Sequence, residues 1–295
     1  MTLSTPTPWM DDYDSYDEPD VPAEPRIEVR YDLEQGSEEW LEARRGMLTA
    51  SVIGQLITVG PPDALTVACP YCHAAEGGPC LSAARKEPTP TKVPHPARIA
   101  RAAEMPPTYK PATGDVPRML TALLVAERIN GWSDPVFISS DMWRGKMEEP
   151  LARSLYSETY AKVTEAGLIV RSDWGFSIGY SPDGLVGDDG LIEVKSRRAK
   201  RQLLTVLDDT VPLENLAQIQ TGLLVSGRSW CDYVSYSGGM PMWRTRVYPD
   251  PAWQAVIVEA ARLFERTATR MLTTWTERTV GLPATERTTY DLEIV

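Results

Sequence analysis

Apolar positions along this chain change period several times, and the order of the changes sketches an architecture. IEVRYDL (27–33) has strand character. It leads into EQGSEEWLEARRGMLTASVIGQLI, where Ser37 is placed to cap a helix whose first turn carries Glu38 and Glu39 at the positive end of its dipole. From 58 to 117 the periodicity lapses into a proline-rich stretch with three clustered cysteines, which reads as an insertion. Helical spacing returns over PRMLTALLVAERIN and again over SSDMWRGKMEEPLARSLYSETY. Three β segments follow, about 163–171, 174–180 and 191–196, the last two joined through a Gly-rich turn. PLENLAQIQTGLLVSG reads as a helix closed by Gly227. Two further strands, WCDYVSYS and MWRTRVYP, flank a Gly-Gly turn, and a long helix runs from Pro251 to about Glu277. Helices, a central mixed sheet and more helix predict an α/β (α+β) domain without internal repeats.

The 295 residues suffice for one large domain or two ordinary ones. No apolar run approaches the ~20 residues of a membrane span and no N-terminal segment resembles a signal peptide, so a cytoplasmic protein with no membrane partner is expected. A net charge of -11 argues against a nucleic-acid partner until its distribution is considered. Residues 1–25 carry Asp11, Asp12, Asp14, Asp17, Glu18, Asp20 and Glu24 with no Lys or Arg, the composition of an acidic disordered tail. The folded unit expected over 26–280, ahead of a C-terminal tail at 281–295, is only mildly acidic. Local basic clusters decide where a polyanion binds. Cys231, alone in WCDYVSY, reads as a core residue.

SPDGLVGDDGLIEVKSRR (181–198) concentrates the candidate chemistry. Residues two apart on a strand face the same way, so Glu193 and Lys195 share a face while Val194 points oppositely. Asp183 precedes a turn able to fold it back beside Glu193. Two carboxylates converging near the Val194 carbonyl make a hard oxygen site suited to Mg²⁺ or Mn²⁺. An adjacent lysine then orients or deprotonates a water that attacks a phosphodiester. The bland alternative is a hairpin with solvated charges and an ion pair worth about 0–1 kcal/mol.

The stretch resembles the PD-(D/E)xK nuclease signature, and the wider chain resembles the phage lambda exonuclease family, or YqaJ-type viral recombinases. EQGSEEWLEARRGMLTAS (34–51), RGKMEEPLA (144–152), SPDGLVGDDGLIEVK and AQIQTGLLV (217–225) stand in the family's order. The resemblance implies a nuclease core with a mixed sheet flanked by helices. It implies two divalent ions held by Asp183, Glu193 and the carbonyl of Val194, with Glu149 assisting from its helix. Glu148 is a rival that spacing from Gly145 disfavours. Lys195 would serve the nucleophilic water and Gln218 would help to place it. Arg44, Ser51 and Ser181 would hold the 5′-phosphate of the strand being digested. The planar fork of arginine suits that role, whereas a solvated Arg-Arg pair is the ordinary reading of Arg44 and Arg45. Trp40 is expected in the core.

KSRRAKR (195–201), with Arg197 and Arg198 directly after the catalytic strand, is expected to follow backbone phosphates and so to make binding salt-dependent. Within the insertion, set at 66–104, Cys69, Cys72, Cys80 and His95 suit a closed structural Zn²⁺ site. His73 is a poorer fourth ligand because it adjoins Cys72, and unliganded thiols are the bland alternative. The pattern is similar to small zinc modules of phage and actinobacterial proteins. Arg85, Lys86, Lys92, Arg98 and Arg101 make the insertion locally basic.

The expectation is therefore a Mg²⁺-dependent 5′-to-3′ exonuclease acting on double-stranded DNA ends. By family resemblance it works with a single-strand annealing protein and forms a homo-oligomer, a trimer in the lambda type. Two other readings are a structure-specific or CRISPR-associated nuclease on the same core, and a non-catalytic DNA-binding or DNA-mimicking protein. An iron–sulfur cluster would mark the CRISPR-associated type, and the local three-Cys-one-His grouping points to zinc instead. The intact Asp183, Glu193 and Lys195 argue against the non-catalytic reading.

Overall fold

The computed structural model describes residues 25–82, 88–135 and 138–287. All but Pro25 of the expected acidic tail, residues 288–295 of the expected C-terminal tail, and Arg85 and Lys86 lie outside the described residues.

Strand β1 (Ile27–Arg30) precedes helix α1 (Glu38–Arg44), whose first turn is capped as anticipated, with Ser37 Oγ accepting from the Trp40 amide at 3.2 Å. A short β2 (Leu48–Thr49) enters α2 (Ala50–Ile53). The insertion then opens and closes through one antiparallel ladder, β3 (Ile57–Gly60) against β6 (Thr108–Pro111). Between them lie β4 (Leu81–Ser82), β5 (Thr89–Pro90) and a helix missed at the level of sequence, α3 (Pro96–Ala103). Helices α4 (Asp115–Asn130) and α5 (Ser140–Thr159) follow where the periodicity placed them.

The expected single strand at 163–171 is two. β7 (Val163–Thr164) and β8 (Leu168–Arg171) belong to different sheets, and the chain crosses between them at Gly167. The crossing runs so close to the first block that a Cβ on Gly167 would stand 2.1 Å from the Leu33 carbonyl oxygen. The expected strand at 174–180 shrinks to β9 (Ile178–Tyr180), because Trp174 and Phe176 stack on each other in the preceding turn. The expected pairing of that strand with 191–196 does not form. Instead β10 (Gly184–Val186), a short strand within the stretch expected to be the turn, makes a hairpin with β11 (Gly190–Ser196), while β9 lies in the other sheet. The basic run after β11 enters a second missed helix, α6 (Ala199–Asp208). Then come α7 (Leu213–Ser226), β12 (Trp230–Tyr236), β13 (Trp243–Val247) and the long α8 (Pro251–Thr279).

The mixed sheet is thus a pair of mixed sheets, ordered β1-β8-β9-β2 and β13-β12-β11-β10-β7. Each contains one parallel contact, β2 with β9 and β11 with β12. Helix α7 is the hub of the main core: Ile219, Leu223 and Val225 are buried with Ile53, Ile178, Leu191, Cys231 and Ile257. A smaller cluster seats α5 on the other face of the five-stranded sheet through Ala152, Tyr156, Ile192, Val194 and Val234. Neighbouring side chains on β11 therefore face opposite layers, Leu191 one way and Ile192 the other, as a doubly covered strand requires. The chain passes from the first sheet to the second through Ser181, Pro182 and Asp183, between β9 and β10. That passage positions the site.

Candidate active site

The register of the hairpin sets Gly184 opposite Ile192, which brings Asp183 to the end of the ladder beside Glu193 and Val194. Asp183 Oδ2 accepts from the Val194 amide at 2.6 Å. Glu193 is fully buried; its Oε1 accepts from Lys195 Nζ at 2.6 Å and its Oε2 lies 3.4 Å from the Tyr180 hydroxyl. Lys195 also donates to Gln218 Oε1 at 3.0 Å, so α7 brings its glutamine against the lysine. Glu149 and Lys195, with Asp183 and Val194, line a cavity of about 820 Å³ between α5, the hairpin and the first block.

The two glutamates of α5 part company. Glu149 faces the cavity and is ion-paired with Arg153, which also meets Glu165. Glu148 accepts from Ser196 Oγ at 2.5 Å and braces the end of β11 instead. Burial raises the Asp183 carboxyl well above the usual range, and the charges of Glu193 and Glu149 push the same way. Burial raises Glu149 too, partly offset by Arg153. Burial opposes the Lys195 ammonium, but Glu193 and Asp183 outweigh it and hold the proton more tightly than usual. Three acids against two cations, Lys195 and Arg153, leave a net negative site able to receive further positive charge. The donor set, carboxylate oxygens with a backbone carbonyl, fits Mg²⁺ or Mn²⁺. Each acid is meanwhile held by a protein partner: Asp183 by an amide, Glu193 by Lys195, Glu149 by Arg153.

A second, smaller cavity of about 190 Å³ lies on the other side of Asp183, which lines both. Arg44, Ser51 and Ser181 line it with Thr49 and Gln218. Arg44 Nη2 reaches Thr49 Oγ1 at 3.4 Å and Ser51 Oγ at 3.3 Å. Among the described residues no carboxylate lies within ion-pair distance of Arg44, and burial lowers its pKa to about 10. A partly buried guanidinium without a carboxylate partner has the charge and the N–H donors to receive an anion.

Trp40 departs from expectation. It is half-buried rather than core, with the Arg44 guanidinium 4.0 Å from its ring centroid. Arg197 also departs: it turns inward to Asn215 Oδ1 and the Tyr233 hydroxyl, tying β11 to α7 and β12. Arg198 stays exposed and pairs with Asp141, and Arg201 pairs with Glu214. Acids on α5 and α7 thus take up part of the basic run. Alternation along the sequence could not reveal these partners, which are distant in the chain.

In the insertion, the donor atoms of Cys69, Cys72, Cys80 and His95 all lie within 4.8 Å of one another, a compact soft donor set that fits tetrahedral zinc. No other group of three or more possible ligands is so close among the described residues. The Leu81 amide donates to Cys72 Sγ and brings that thiol down to about 7. His73 has a positive φ of 58° and stands outside the cluster. Arg98 is fully buried, donating to the carbonyls of Leu65, Val67, Ala75 and Gly78. It is a structural strut, and Arg101 pairs with Glu104, so much of the expected basic character is spent inside the module.

Residues 114–229 match the YqaJ-like viral recombinase domain. Residues 35–115 match the "Putative DNA-binding phage zinc finger domain". Among solved structures, an alkaline exonuclease (LHK-Exo) from Laribacter hongkongensis aligns with a TM-score of 0.58 and 26% identity over 84% of this chain and 100% of that one. The same enzyme in complex with dAMP aligns with a TM-score of 0.59, at the same identity and coverage. None of the curated proteins compared with the chain matches it. Among the described residues no helix is long and apolar enough to cross a membrane.

Proposed function

We infer, for a nuclease that carries a YqaJ-like viral recombinase domain over residues 114–229, that the reaction is Mg²⁺-dependent 5′-to-3′ digestion of double-stranded DNA ends. The observation that carries this reading is the pair of cavities meeting at Asp183, one lined by acids and Lys195, the other by two serines and an arginine with no carboxylate partner among the described residues. The first suits the scissile phosphate and the second a terminal one.

Asp183, Glu193, Glu149 and the Val194 carbonyl would hold the divalent ions, which supply neutralisation of charge developing on the phosphoryl group. Lys195, held by Glu193 and Gln218, is placed to orient the attacking water or a non-bridging oxygen. Gln218 Oε1 fixes that ammonium, leaving the glutamine amide N–H groups free to donate. Water forms the new P–O bond as the P–O3′ bond breaks. The departing nucleotide takes a proton on its 3′-oxygen, and the shortened strand keeps a 5′-phosphate. Recapture of that phosphate by Arg44, Ser51 and Ser181 gives the digestion its direction. The related exonuclease has been crystallised with dAMP, which supports a site of nucleotide size.

Resection leaves a 3′-terminated single strand, the substrate of a single-strand annealing partner. The phage-type match supports a place in homologous recombination. Exposed Trp143, Met147, Leu151 and Leu155 recur every fourth residue along α5 and supply a face for self-association, a trimer by family analogy. The zinc module is assigned a structural Zn²⁺ and contact with DNA or a partner.

The test is linear duplex labelled separately at its 5′ and 3′ ends, incubated with Mg²⁺ and with EDTA. Release of the 5′ label as mononucleotide, with Mg²⁺ alone, is expected. Release from the 3′ end first, or cleavage in EDTA, overturns the reading.

A further inference from the structure

Two side chains of the first block, Trp40 and Gln35, have no role in the chemistry above, yet both reach the same two crossing points of the chain. Gln35 Nε2 donates to the Ala166 carbonyl at 3.1 Å and to the Pro182 carbonyl at 2.8 Å. Trp40 Nε1 donates to the Gly167 carbonyl at 2.9 Å and to Ser181 Oγ at 3.0 Å. Adjacent residues on each of the two inter-sheet passages, 166–167 and 181–182, are therefore stapled to one segment. Asp183 is the next residue along. Gln35 lines both cavities, and Trp40 lines the smaller one while carrying Arg44 on its ring face.

The donor inventory adds direction. An indole N–H can only donate, so Ser181 Oγ must accept from it, and the Ser181 hydroxyl proton is left to point elsewhere. With one lone pair engaged by Trp40, that O–H is set to donate to an anion in the small cavity. The same ring supports the guanidinium through a cation–π contact, which restricts Arg44 without consuming its N–H donors. One side chain thus orients two of the three proposed phosphate contacts, from opposite parts of the indole.

We propose that Trp40, backed by Gln35, is a positioning residue that presets Ser181 and Arg44 for a terminal phosphate and holds that subsite in register with Asp183. The proposal rests on the phosphate-subsite reading above. Trp40→Phe keeps an aromatic face under Arg44 and removes the N–H donor. Compared on 5′-phosphorylated and 5′-hydroxyl duplex ends, this variant is expected to lose more on the phosphorylated end, lowering the preference ratio about fivefold, the effect of one hydrogen bond. The same ordering is expected for binding to the two ends in EDTA, where no turnover contributes. In an Arg44→Ala background, Trp40→Phe adds less to the ratio than it does alone, because the two share one subsite.

An equal loss on both ends, or an unchanged ratio, overturns the proposal and reduces Trp40 to packing. If Arg44→Ala itself leaves the ratio unchanged, the phosphate subsite is misplaced, which is a different failure. Gln35→Met, at an exposed position, gives a second reading: it loosens Pro182 and is expected to lower the ratio in the same direction. An unchanged ratio in that variant overturns the role of Gln35 as backing.

Discussion

Lys195 sits between a carboxylate and an amide, 2.6 Å from Glu193 Oε1 and 3.0 Å from Gln218 Oε1, and its ammonium is stabilised by both neighbouring acids. Lys195→Ala removes the donor and leaves Glu193 buried without its cation. Cleavage is expected to fall at least 10²-fold while DNA affinity in Ca²⁺ persists, measured by gel and by anisotropy. Normal turnover would show that the lysine is a structural counter-ion. Arg44→Ala is expected to erase most of the advantage of a 5′-phosphate, read as kcat/KM on the two end types; equal loss on both would place the subsite elsewhere. At this scale the sequence was informative where neighbours are close in the chain: Asp183, Glu193 and Lys195 lie within thirteen residues and the structure brings them together. It was uninformative where a role depends on a distant partner. Nothing near Trp40 in the chain announces Ser181, and nothing near Arg197 announces Asn215 and Tyr233.

Helix α5 carries Glu149, and its seat on the sheet depends on a buried polar knot at its far end. Tyr156 donates to Asp232 Oδ2 at 2.7 Å, and Arg246, opposite Asp232 in the β12–β13 register, and Arg244 complete the cluster. Asp232 is fully buried, and although burial works against its charge, Arg246, Tyr156 and Arg244 together hold its pKa below the ordinary value. A carboxyl depressed on folding stabilises the fold above its unfolded pKa, and that contribution is lost as pH falls through the folded value. Asp232→Asn is therefore expected to cost about 3 kcal/mol near neutral pH in urea unfolding, and to show a smaller penalty in strong acid. A penalty independent of pH would mean that packing dominates. The knot eluded the sequence because Asp232 lies within an apolar strand with no local sign of its partners. Helices with caps and clear periodicity, α4, α5 and α8, were legible. The short α3 and α6 were hidden, one by prolines and the other by its basic run.

At the scale of the molecule, the apolar row on α5 predicts an assembly. Leu151→Glu combined with Trp143→Glu is expected to convert an oligomer into monomer by light scattering, leaving the far-ultraviolet circular dichroism unchanged. An unaltered mass would assign the row to another partner. The pair of sheets was only half visible in the sequence, because a break of three residues at 165–167 is too short to register as a change of period.

The ladder of β3 with β6 has one more implication, which concerns exchange of parts. Its last pair is Gly60 with Thr108, and no described residue between them belongs to either hydrophobic core. The whole zinc module hangs from a hairpin whose two strands are already in register for a two-residue turn. Replacing 61–107 with Asn-Gly would close that hairpin without stretching anything, and the shortened protein is expected to fold and keep its cavities, with loss confined to whatever the module contacts. The module is thus a detachable unit: it can be exchanged or removed at one ladder without re-registering the sheets that hold the acids.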